Sequence, residues 1–387
     1  MIERQANQDG AQPTLAESAA QSAVGPAPGN DRQRAGTGPA LAQLQNVMAN
    51  GWEAVVEMAN VARQHVNEWP AIMQWLQANR GNGFATKVAS QVHGDASAKH
   101  STRFPIILIH GFNAGPATSF ADQIPETLRA DGDAVFTLAL PPFQSVEARA
   151  TVIAEQLEAI MSKTGASKVN LVGHSQGGLD ARYLVSTMGW GNRVASVTTL
   201  ATPHRGSPLA DMALGLPAGA DDYSASVARW VGRHVHESTM ADSADPRGNA
   251  KSLSVAGAAQ FNTNNPNVPG VFYQSWAGVS SVMGDAKPGQ KGAEAVDPAQ
   301  PAGTGGDHLN PLMYPAAMMM AAKAPGQPND GVVTVDSAKW GQFNGVLPAD
   351  HLDLEGVGGF DSDKQRTGFD PRSFYIRMAR DLAKRGY

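Results

Sequence analysis

Ser175 stands in GHSQG at 173–177, a glycine-flanked serine of the GxSxG type. A serine hydroxyl is a weak nucleophile until a base removes its proton, and a sharp strand-to-helix turn is the setting that exposes such a serine. With 41 glycines in the chain the pentapeptide alone says little. Its setting says more: an apolar stretch, KVNLVGH at 168–174, precedes it, and a helical pattern through Leu179, Tyr183 and Leu184 follows. The flanking glycines have a physical reason, since a strained turn leaves no room for Cβ atoms on either side. A helix starting after the serine would aim its free N–H groups and dipole at a developing oxyanion. The expected donors are the backbone N–H of Gln176 and a second N–H from the loop after the first apolar strand, where Phe112 follows His110 and Gly111.

Such a serine needs a base, and ten histidines compete for the role. Where this elbow is used, nucleophile, acid and histidine follow in chain order, the last two on loops after later strands. His351 is the histidine that lies beyond a convincing acid, Asp330 in NDGVVTV, which is expected to introduce a strand-like segment. Asp330 would orient the imidazole and stabilise the imidazolium. On spacing alone Asp336, Asp350 and Asp353 remain rival acids. His110 and His174 flank the elbow and read as supporting or packing residues.

The elements that must position these groups follow from periodicity. FPIILIHGF at 104–112, AVFTLAL at 134–140, KVNLVGH, VASVTTLAT at 194–202 and VFYQSWAGV at 271–279 read as buried strands. A helical pattern through Val146, Ile153, Leu157 and Ile160 lies between the second and third. Alternation of this kind predicts an α/β fold, a mostly parallel sheet with helices on both faces. Residues 203–270 turn irregular and are expected to hold an inserted helical lid, with apolar candidates at Leu209–Leu216 and Val227–Val231, joined by Met318, Met319 and Met320. Residues 284–306 are expected to form a long loop. Asp370 and Pro371 suit the start of a final helix burying Phe374, Met378 and Leu382.

Residues 1–38 carry almost no large apolar side chains and are expected to be disordered. Residues 39–101 are expected to form a helical extension and linker: Leu41, Leu44, Met48, Trp52 and Val55, then Val66, Trp69, Met73 and Leu76, recur at helical spacing around Pro70. The catalytic domain is then 102–387. A net charge of −5 without basic runs argues against a nucleic-acid partner. The lack of cysteine excludes disulfides and thiolate chemistry. No apolar stretch reaches membrane-spanning length, and the first residues show no export signal, so a cytoplasmic enzyme or one exported by a signal-independent route is expected.

From Phe104 to Tyr387 the chain resembles the bacterial secreted triacylglycerol lipases of the α/β-hydrolase fold. PIILIHGF, NLVGHSQGG, VASVTTLATPHRGS with the later SWAG, and NDG followed by DHLD carry the resemblance in order and spacing. It implies Ser175 as nucleophile, Asp330 as acid, His351 as base, Phe112 and Gln176 as oxyanion donors, and no cofactor for catalysis. The implied substrates are hydrophobic acyl esters, met at a lipid–water interface. It also implies a structural calcium near the histidine loop, held by two aspartates, Asp353 and most nearly Asp307, with two carbonyls. Relatives often use a dedicated folding chaperone, a disulfide and a leader; this chain departs from them in lacking cysteine, and its first residues are not expected to act as such a leader. A different ester (polyester, phospholipid or short-chain), acyl transfer, and a silent hydrolase fold used as a binding scaffold are the rival readings.

Overall fold

A computed structural model describes residues 101–387 apart from 113–118, 122, 142, 216–244, 288–295, 300–302, 304, 311–312 and 358–363. The expectations for residues 1–100, including the two amphipathic helices, and for Val227–Val231 lie outside the described residues.

Among the described residues six strands form one sheet: β1 (Ile106–Ile109), β2 (Val135–Thr137), β3 (Val169–His174), β4 (Val194–Leu200), β5 (Phe272–Gly278) and β6 (Gln342–Leu347). Their spatial order is β2-β1-β3-β4-β5-β6, and every neighbouring pair is parallel. Parallel pairing demands crossovers, and the longer helices supply them: α1 (Ile124–Asp131), α2 (Val146–Thr164), α3 (Gln176–Ser186), α4 (Pro208–Leu214), α5 (Pro246–Leu253), α6 (Val255–Asn264) and α7 (Tyr314–Lys323); α8 (Pro371–Lys384) follows the last strand.

Strand periodicity divides the core in two. Ile106 and Leu108 point to one face with Val172 and Leu200, where they meet Ile124 and Leu128 of α1 and Phe374, Tyr375 and Met378 of α8. Ile107 and Ile109 point to the other, against Ile153 and Leu157 of α2 and Leu184 and Val185 of α3. Burying each such side chain contributes about 1.5–3 kcal/mol, so the middle of the sheet, packed on both faces, is a sound base for a precise site.

Helix ends follow their caps. Ser145 accepts from the Ala148 N–H at the start of α2, and Gly165, at φ 68°, closes it. Asp370 caps α8 with Pro371 in its first turn, as expected.

One sequence expectation needs correction. The segment after Asp330 is not a strand. Asp330 Oδ1 accepts from the Val332 and Val333 N–H groups, Asn329 Oδ1 from Gly331 N–H, and Thr334 then caps a short helix at Val335–Ala338. Those local bonds satisfy the backbone that a ladder would otherwise take up. The sixth strand lies further on, at Gln342–Leu347, where an exposed start and a shift in pairing between Ser275 and Trp276 hide the apolar alternation.

Between β4 and β5 the chain leaves the sheet and builds α4, α5 and α6, which pack on one another. Helix α5 is tied to the elbow, because Asn249 Nδ2 donates to Gln176 Oε1 at 2.7 Å and to Gln144 O at 2.8 Å. In α7, Met320 is buried while Met318 and Met319 are half-buried. Among the described residues no helix is long and apolar enough to cross a membrane.

Candidate active site

Ser175 occupies the single residue between β3 and α3, at φ 52° and ψ −127°. Positive φ is costly for a residue with a Cβ, so the surrounding structure must enforce it. Enforcement comes from close approach of backbones. A Cβ on Gly173 would lie 2.5 Å from the Gly177 carbonyl carbon, and one on Gly177 would lie 2.3 Å from Ile109 O. The Ser175 N–H donates to Leu200 O at 2.9 Å, which ties the turn to β4. Gln176 opens α3, so its N–H belongs to the first turn, whose donors have no partner within the helix.

The loop after β1 passes beside the serine: a Cβ on Gly111 would sit 3.2 Å from Ser175 Cβ and 3.7 Å from its Oγ. Arg149 Nη2 donates to His110 O at 2.6 Å, His110 Nδ1 and Gly111 O are 2.8 Å apart, and the Gly111 N–H reaches Glu355 Oε1 at 3.3 Å. Phe143 N–H donates to Phe112 O at 2.7 Å, and the two rings meet edge to face.

Asp330 and His351 are joined twice. Their side chains meet at Oδ2 and Nδ1, 2.8 Å apart, and the His351 N–H donates to Asp330 O at 3.0 Å. Both are buried, Asp330 to 1% exposure. Burial would lower the imidazole's proton affinity, but Asp330 together with Glu355 and Asp350 outweighs it and holds His351 above the usual imidazole range. Nε2 of His351 is buried with no hydrogen-bond partner among the described residues. Its ring lies 4.6 Å from that of His174, the residue before Ser175.

The rival acids are otherwise engaged. Asp336 pairs with Lys339 at the surface. Asp350 accepts from the N–H groups of Asn310, Leu352 and Asp353. Asp353 stands with Asp307 and Asp350 in a buried group whose carboxylate oxygens lie within 4.8 Å of one another. Three buried carboxylates at that spacing repel unless a cation joins them, and an all-oxygen donor set suits a hard divalent ion such as calcium. Asp350 is the member that the spacing argument weighed only as a catalytic acid.

Two further groups escaped the sequence. Glu355 is buried, with Oε1 3.0 Å from His174 Nδ1. Burial favours its neutral form, yet the neighbouring histidines, His174 foremost, hold its carboxyl below the usual range. Arg149 and Asp180, both fully buried and 2.7 Å apart, form an ion pair linking α2 to α3. Burial pushes Asp180 up to about 6 against the pull of Arg149.

A family model described as the alpha/beta hydrolase fold matches residues 105–345. A triacylglycerol lipase of Vibrio cholerae is 29% identical over 74% of this chain and 89% of its own length. One from Burkholderia plantarii is 32% identical over 66% of this chain and 80% of its own. A solved metagenomic carboxyl esterase superposes with a TM-score of 0.53 at 18% identity, covering 73% of this chain and 76% of that one, which bears on fold alone.

Proposed function

Because the chain belongs to the α/β-hydrolase fold family, and within it to the bacterial triacylglycerol lipases, it is an ester hydrolase, and we propose that it works through Ser175, His351 and Asp330. Ser175 Oγ attacks the acyl carbonyl while His351 Nε2 takes its proton. The tetrahedral oxyanion is held by the N–H groups of Phe112 and Gln176. His351 then protonates the departing alcohol, and water, activated by the same imidazole, releases the acid from the acyl-serine. Asp330 keeps the imidazole proton on Nδ1, so that Nε2 is free to accept. The observation that carries this reading is the buried 2.8 Å contact of Asp330 with His351, set beside a serine held in a strained elbow.

The substrates we infer are triacylglycerols and related hydrophobic acyl esters at a lipid–water interface. The names of the relatives support this, and the helical insertion between β4 and β5, which opens on the helix PLADMAL, serves as a lid in this reading. Asp307 and Asp353, with Asp350 beside them, would hold a structural calcium; bound there, the ion would neutralise the carboxylates and brace the loop that carries His351.

The test is turnover of p-nitrophenyl esters by the wild type and Ser175→Ala, both checked for the same melting temperature. Loss of activity by several orders of magnitude is expected, and equal rates would refute the assignment. An acyl-chain series run as solution and as emulsion checks the substrate: preference for soluble short esters would refute the lipase reading.

A further inference from the structure

We propose that His110 is a positioning residue that aims the oxyanion donor, by locking the peptide between Gly111 and Phe112. This rests on the assignment of Ser175 as nucleophile and of the Phe112 N–H as a donor.

Leu140 N–H, which can only donate, reaches His110 Nε2 at 3.2 Å. Nε2 is therefore the acceptor, and the ring proton of neutral His110 sits on Nδ1. Nδ1 lies 2.8 Å from Gly111 O, so His110 donates to the carbonyl of the next residue. Both ring nitrogens are thus engaged in defined senses, in a fully buried side chain.

The consequence follows from peptide geometry. In a trans peptide the carbonyl of one residue and the N–H of the next point in opposite directions within one rigid plane. Drawing Gly111 O onto His110 turns the Phe112 N–H away from the ring. The adjoining groups are pinned as well: His110 O by Arg149, Gly111 N–H by Glu355 and Phe112 O by Phe143. From His110 O to Phe112 O, the Phe112 N–H is the one backbone group with no partner among the described residues. It belongs to a loop that brushes Ser175 Cβ. An N–H held ready for charge that appears only in the transition state is what an oxyanion donor requires.

Two near-isosteric replacements separate the ring's two bonds. In His110→Asn the amide nitrogen falls where Nδ1 was and can still donate to Gly111 O. In His110→Gln the amide oxygen falls where Nε2 was and can still accept from Leu140, but the Gly111 bond is lost. We expect His110→Asn to keep kcat within about threefold of wild type. We expect His110→Gln to lose on the order of 10–100-fold in kcat, part of the cost of losing a whole donor, with KM nearly unchanged. Affinity for an alkyl boronic acid, which binds serine as a tetrahedral adduct, should fall in parallel with kcat in the Gln variant. Melting temperatures report whether either variant simply fails to fold. Equal kcat in the two variants, or loss of kcat with boronate affinity unchanged, would overturn the proposal. Activity surviving in Ser175→Ala would instead overturn the triad on which it stands.

Discussion

On the Ser175 side of the site, position is set by exclusion. Strands β1 and β3 and helix α3 come so close at Gly173 and Gly177 that one added carbon would overlap backbone, and the serine is left in a conformation it would not choose. On the His351 side, position is set by charge. The imidazole hangs on a loop beyond β6, tethered to Asp330, flanked by Glu355 and set between Asp350 and Asp353, two members of the three-carboxylate cluster. The first kind of precision is indifferent to pH and salt but intolerant of a methyl group. The second tolerates shape changes but depends on protonation and counter-ions.

The largest effect expected from this contrast is at Asp330. Asp330→Asn preserves volume while removing the charge, and should lower kcat by about 10⁴-fold, with little change in thermal stability. The pH profile gives the sign. Because Asp330, Glu355 and Asp350 hold the protonated imidazole above its usual range, the wild-type rate should rise along an acid limb above the usual imidazole value of 6.5. In Asp330→Asn that limb should move to lower pH, and an unmoved limb would show that another group titrates. The raised His351 pKa also adds stability below the ordinary imidazole value, which is lost as pH climbs through the folded value. Glu355, lowered in the fold, adds stability above the ordinary glutamate value, lost as pH falls through its folded one.

Gly177→Ala probes the other side. Its Cβ would meet Ile109 O at 2.3 Å and His110 O at 2.9 Å, backbone atoms with no flexible chain to yield. Overpacking of this kind costs about 1–3 kcal/mol, seen as a lower urea midpoint together with reduced kcat, and the loss should be the same from pH 6 to 9. A pH-dependent loss would erase the distinction between the two sides.

The smallest effect is expected from chelation. Removing divalent cations should lower the melting temperature by a few degrees, since a site at about 100 times its dissociation constant contributes about 2.7 kcal/mol. Asp353→Asn should abolish the difference between chelated and calcium-loaded protein. An identical melting curve with and without chelator counts against the ion.

Legibility in the sequence divides along the same line. The elbow was readable because its determinants are contiguous: an apolar strand, two glycines around a serine, and a helix. The pairing of Asp330 with His351 was legible as chain order, but the choice among Asp330, Asp336, Asp350 and Asp353 was not, because it turns on which carboxylate the fold brings within 2.8 Å. β6 was missed because its first residues face outward and its pairing shifts beside β5. The signal for Arg149 is present in the sequence. It falls four residues before Ile153 and eight before Leu157, on the stripe of α2 that packs inward. A guanidinium there is tenable because Asp180 and two carbonyls receive it. Glu355 left no comparable mark, since its partners His174 and Gly111 lie far off in the chain.

The strand order carries a consequence for how activity is acquired. The scaffold of Ser175 comes from residues 106–200, strands that neighbour one another in space, whereas His351 sits about 150 residues later, beyond a strand at the sheet's edge. Closing that loop is a late and entropically demanding event. A refolding chain should therefore bury its central strands and regain most of its helical signal before it turns over any ester. Catalytic competence then serves as a clock for the docking of the last strand.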